Sequence, residues 1–188
     1  MDGARQSVRL GVRVNEAYKG WSAPGWVHEA TWGLLEAVEP RHLRGLQAVV
    51  LTNRQALTRD RKRAKVWWRS RKVRIAESLG LYHHATPREG AWIEVMTDAV
   101  LAGAPKWAWS FPIIRDGLLA HTLYHEVGHH IHAVHAPEYG ERENVADEWR
   151  DRLMRAMYRH KHPVFARVMA VLVPPVRWMR GLRRKRKQ

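Results

Sequence analysis

The sequence predicts an α+β fold, because short β-branched runs fill its first half and two long helical patterns fill its second. Its length of 188 residues suits one core-forming domain with appendages. The expected division is an N-terminal segment over 1–23, a domain over 24–160 and an apolar, then polybasic tail over 161–188.

The elements follow in chain order. The first 23 residues are expected to be loose. Residues 24–40 read as a helix, with Trp26, Ala30, Leu34, Ala37 and Val38 near the 3.6-residue period and a proline at each boundary. Residues 46–52 form a short β-branched run and predict a strand. From Leu57 to Leu79 the apolar positions Leu57, Ala64, Trp68, Ile75 and Leu79 recur at spacings of seven and four. That register predicts an amphipathic helix with a basic outer face, its end at 73–76 being compatible with extended chain. Residues 81–84 and 91–97, separated by Pro87 and Gly90, read as a hairpin or neighbouring strands. A long helix is predicted over about 118–135, stopped by Ala136-Pro137, and another from near Glu141 past Tyr158.

The net charge of +15 is unevenly placed. Residues 54–74 carry ten Lys or Arg against Asp60 alone, and residues 177–188 carry seven with no acid. The remaining chain is nearly neutral, so an anionic partner, either nucleic acid or a membrane surface, is expected at these two patches and not over the whole body. Trp67 and Trp68 lie inside the first patch. Stacking on bases is one reading of them; the favoured one turns them toward the core, since Trp68 lies on the apolar register. The tail runs from Val164 through Val173 to Trp178 and Met179 before its basic end, a pattern that fits either an interfacial anchor or docking on the domain.

With no cysteine, disulfides and thiolate ligands are excluded, and any transition-metal site must use histidine and carboxylate. Residues 1–10 lack the apolar run of a secretory signal, and the apolar stretch 164–173 is too short for a span. A cytoplasmic protein is expected, with peripheral membrane attachment through the tail as an alternative.

The predicted helix over 118–135 contains His125-Glu126-Val127-Gly128-His129, an HExxH pattern. Residues four apart lie on one helix face, so His125 and His129 can hold a Zn2+ ion through two imidazoles. Glu126, rotated about 100°, falls beside the metal, where it can take a proton from water. A tetrahedral catalytic zinc needs a third protein ligand. Glu143, in Glu143-Asn144-Val145-Ala146-Asp147, is the favoured candidate, and an antiparallel helix pair joined over 137–140 brings it level with His129. Asp147 shares its face and can accept the second N–H of a ligand histidine.

HExxH followed by ExxAD resembles the gluzincin group of zinc metallopeptidases, including HtpX-like and minigluzincin proteins. The sequence is also similar to ImmA/IrrE-like peptidases, whose GxY…IxV segment is matched by Gly80-Leu81-Tyr82 and Ile93-Glu94-Val95. The likeness covers roughly residues 79–158 and implies a zincin-like fold. In such a fold a small sheet packs on the active-site helix, and the following helix supplies the third ligand. It further implies cleavage of a peptide or protein substrate, with the strand over 91–96 bordering the cleft and pairing with the substrate backbone. It also calls for an oxyanion donor, for which Tyr139, Tyr158 and His132 are open candidates.

Other assignments are weighed against these. His135 stands six residues after His129, the spacing of the third metzincin histidine, but His132 occupies the position where that pattern needs glycine. Glu148 is a further carboxylate on a neighbouring face. His121, His130 and His132 read as noncatalytic, although His121 and His132 share the face of His125 and could line a cleft. Two alternatives to a simple peptidase stay open: a nucleic-acid-associated protease and a noncatalytic zinc-stabilised interaction module.

Overall fold

A computed structural model describes residues 6–9, 11–68, 71–135 and 142–170. The elements run β1 (Gln6–Arg9), β2 (Val12–Ala17), α1 (Trp26–Glu36), β3 (Leu46–Thr52) and α2 (Arg59–Arg63). They continue with β4 (Lys65–Trp68), β5 (Arg71–Arg74), β6 (Gly80–His83), β7 (Ala91–Met96), α3 (Thr97–Leu101), α4 (Pro112–His135) and α5 (Glu143–Lys161). The architecture is α+β, as the sequence predicts.

Five strands form a mixed sheet in the order β1-β2-β3-β7-β6. The three central strands are parallel, and β1 and β6 close the two edges antiparallel to their neighbours. Alternation divides the faces of the sheet. Val12, Val14, Val49, Leu51, Ile93 and Val95 are buried in one core with Leu34 and Leu35 of α1 and Leu119, Leu123, Val127 and Ile131 of α4. The expectation of a loose start is therefore corrected: residues 6–9 and 12–17 are paired strands of the sheet. Val12 and Val14 alternate with Arg13 and Asn15, and their side chains are fully buried.

The predicted helix over 57–79 is also corrected. Thr58 caps only a short helix, its hydroxyl accepting from the Arg61 N–H at 3.3 Å, and α2 ends at Arg63. The chain then forms a separate hairpin, β4 against β5, with Val66 opposite Val73. A continuous helix would stack like charges such as Arg61 on Lys65 and Lys65 on Arg69 one turn apart, which is unfavourable. The seven-and-four register arises differently, since the chain folds back to bring Leu57 and Ile75 into a small cluster with Met96 and Ala99. Ala64 and Leu79, two of the supposed inward positions, are exposed. The side chains of Trp67 and Trp68 lie outside the described residues, so their expected orientation does too.

Helix α4 begins six residues earlier than expected and runs antiparallel to α5. At one end of the pair, Asp116 of α4 holds Lys161 and His162 at the close of α5, both at 2.9 Å. Nearer the other end the helices meet at Gly128. A Cβ there would stand 2.7 Å from the carbonyl oxygen of Ala146 and 2.8 Å from its Cα. Only a glycine permits this approach without displacing backbone. The connecting residues 137–140 lie outside the described residues.

Candidate metal centre

The close crossing at Gly128 sets the first turn of α5 beside the middle of α4. There His125, His129 and Glu143 each offer one atom to a set lying within 4.8 Å of one another. The two imidazole Nε2 atoms face each other at 3.3 Å. Glu143 Oε2 lies 3.3 Å from His125 Nε2, and Glu143 Oε1 lies 4.0 Å from His129 Nε2.

These residues fit a zinc ion. Metal bonds of about 2.0–2.1 Å at the tetrahedral angle place ligand atoms roughly 3.3–3.4 Å apart. Two of the three measured separations meet that value, and the third is wider. Glu143 Oε2 is moreover buried with no aligned hydrogen-bond donor. A buried carboxylate oxygen in that state calls for a cation. Burial holds the His125 pKa below the ordinary imidazole value, outweighing the opposing pull of Asp147. The ring is thereby kept neutral, the form that binds metal.

Behind the ligands, Asp147 Oδ1 stands 3.2 Å from His125 Nδ1, though out of line for a full hydrogen bond. Arg150 Nη1 donates to the same oxygen at 2.7 Å, and its Nε and Nη2 donate to Asp151. The predicted pairing of a ligand histidine with Asp147 thus has a geometric counterpart, and Arg150 extends it. Arg150 went unnoticed in the sequence, although its i,i+3 spacing from Asp147 is a readable signal.

A cleft of about 570 Å³ opens over the centre. Its walls include Gly80, Leu81 and Tyr82 of β6, His121, Thr122 and Glu126 of α4, and Val66 and Val73 of the hairpin. The cleft strand is therefore β6. The expectation that residues 91–96 border the cleft is corrected, because β7 is an interior strand covered on that side by β6. Met96 N donates to Leu79 O, and the ladder's alternation turns the peptide groups of Gly80 and Tyr82 away from β7. Gly80 comes very near the helix. A Cβ on it would stand 2.8 Å from Glu126 Cγ, Glu126 Oε1 and Thr122 Cγ2 alike.

Other sequence candidates lie elsewhere. His135 is exposed, its ring 6.1 Å from that of His42, and it takes no part in the metal set. Glu148 is exposed. His132 is buried and is not a cleft residue, whereas His121 does line the cleft. His130 is structural in character, sitting 3.3 Å from the Tyr82 hydroxyl and 3.1 Å from the Arg44 carbonyl. Tyr158 packs near Gly117, remote from the cleft lining, and Tyr139 lies outside the described residues.

The first basic patch has an unforeseen internal partner. Arg61 Nη1 and Nη2 donate to the two carboxylate oxygens of Glu94 at 3.0 and 2.5 Å. Glu94 is only 4% exposed, and its Oε2 also lies 3.4 Å from His83 Nε2. Among the ten basic residues of that segment, Arg61 thus pins α2 to the sheet. No family model, curated protein or solved structure matches the chain significantly.

Proposed function

We propose that the protein is a zinc-dependent metallopeptidase of zincin-like architecture. The observation that carries this reading is the convergence of His125, His129 and Glu143 on one point at the floor of an open cleft, with Glu126 beside them. His125, His129 and Glu143 would hold the zinc, which when bound supplies Lewis-acid activation of water and of a peptide carbonyl. Glu126 would take the proton from the attacking water and return it to the leaving amine. Asp147, fixed by Arg150, would orient the His125 ring. An extended substrate would lie along β6, its backbone meeting the outward peptide groups of Gly80 and Tyr82.

The test is a Glu126→Gln variant of the full chain, assayed for zinc content and for cleavage of an unfolded protein. Zinc should remain at one equivalent while cleavage falls by at least about 100-fold. Undiminished cleavage in that variant refutes the mechanism. Zinc binding by both forms with no cleavage by either favours a noncatalytic zinc-stabilised module. As to location, no helix among the described residues is long and apolar enough to cross a membrane.

A further inference from the structure

Eight large apolar side chains are exposed among the described residues, and six of them gather at one end of the α4–α5 pair. Trp107 is 68% exposed and Phe111 51%. They meet edge to face, 6.3 Å between ring centroids, where a 3-10 turn (Lys106–Ser110) leads into α4. Val164, Phe165, Val168 and Met169 lie on the helical residues 163–170, at spacings that form a single stripe. The contacts of Asp116 with Lys161 and His162 tie the two groups together. Phe111 precedes Asp116 by five residues, about 7.5 Å of helix, and the apolar stripe starts two residues after His162.

Apart from Asp116, which is buried and paired with Lys161 and His162, the chain segments that carry this surface bear only basic charges. Residues 99–115 contain no Asp or Glu, and neither do residues 152–188, which carry twelve Lys or Arg. We propose that this end of the molecule docks on an anionic lipid bilayer. Trp107, Phe111 and the 163–170 stripe would enter the headgroup boundary while the basic residues meet the lipid phosphates. Exposed Trp and Phe next to an aliphatic stripe suit that boundary, which offers an apolar and a wet side at once. The Lys and Arg of these segments would supply the second attachment that a shallow apolar contact requires.

The same features disfavour other occupants. A second copy on this surface would set basic against basic. A nucleic acid would satisfy the cations and leave Val164 and Val168 in water. The docking rests on residues outside the metal centre and stands or falls apart from the peptidase reading.

The experiment is co-sedimentation of the full-length protein with vesicles of phosphatidylserine and phosphatidylcholine, and with vesicles of phosphatidylcholine alone. The wild type should bind the mixed vesicles and be released by 1 M NaCl. The double variants Trp107→Ser/Phe111→Ser and Val164→Ser/Val168→Ser should each bind about ten-fold more weakly, with unchanged thermal unfolding and zinc content. Equal binding by the wild type and both variants overturns the proposal, as does stronger binding to duplex DNA that the same substitutions leave intact. Conversion of a wild-type dimer to a monomer by either variant, without vesicle binding, also overturns it.

Discussion

The α-carbon of Gly128 lies against the backbone of Ala146, so close that one added methyl group would overlap the Ala146 carbonyl oxygen at 2.7 Å. The contact joins the helix bearing His125 and His129 to the helix bearing Glu143. Relief in a Gly128→Ala variant requires one helix to move, because the obstructing atoms are backbone. The cost should be about 1–3 kcal/mol of stability. The displacement acts on Glu143, three residues before Ala146, so zinc affinity should fall as well. Thermal unfolding with and without zinc measures both effects. A variant as stable as the wild type, with equal zinc affinity, would show that the crossing is not what spaces the ligands.

The third ligand is tested by setting three substitutions side by side. Asp147→Asn leaves all three donors in place and should weaken zinc binding by about 10–100-fold, the usual effect of removing a ligand's orienting partner. Glu143→Ala removes a donor and should weaken it further. His135→Ala should leave the affinity unchanged, since His135 is exposed and apart from the metal set. Competition titration against a chromophoric chelator gives the order. The reverse order for His135 and Glu143 would favour the rival, metzincin-like assignment.

This part of the site was legible because its information is local. His125 and His129 are four apart on one helix, as are Glu143 and Asp147, and helix geometry turns such spacing directly into a shared face. The N-terminal strand was legible in principle, since Val12 and Val14 alternate with polar neighbours, but so short a run is easily passed over. The hairpin at 65–74 defeated the helical reading because a long-range cluster of Leu57, Ile75 and Met96 imitated a helical period. Choosing β6 over β7 as the cleft strand needed the sheet order, which no local pattern encodes. The Arg61–Glu94 pair spans 33 residues and was equally hidden.

Gly80 should prove a positioning residue for the proposed base. Its missing side chain lets β6 lie so near α4 that a Cβ at this position would stand 2.8 Å from both the Cγ and Oε1 of Glu126. In Gly80→Ala, either the carboxylate swings aside or the cleft strand lifts away from α4. Cleavage should fall roughly 10–100-fold, because small displacements of catalytic groups carry such penalties. Zinc content should not change, as Gly80 touches none of the three donors. A loss confined to KM would point to the strand, and a loss confined to kcat to Glu126.

The Glu94–Arg61 pair predicts a pH dependence of stability. Burial alone would raise the Glu94 pKa, but its hydrogen bonds with His83 and Arg61 outweigh that effect and hold it below the ordinary value. A carboxyl whose folded pKa is depressed contributes stability above its unfolded pKa, near 4.5, and loses that contribution as pH falls through the lower folded value. Glu94→Gln should therefore destabilise the protein by about 1–2 kcal/mol at pH 7, a modest figure because Arg61 is 36% exposed and can be rehydrated. The difference between variant and wild type should hold from pH 7 down to about 5 and shrink below 4.5, where the unfolded carboxyl takes up a proton before the native one does. Urea unfolding midpoints of both proteins across that range measure the trend. A gap that stays constant down to pH 3 would mean that the variant suffers from lost packing and not from a lost ion pair.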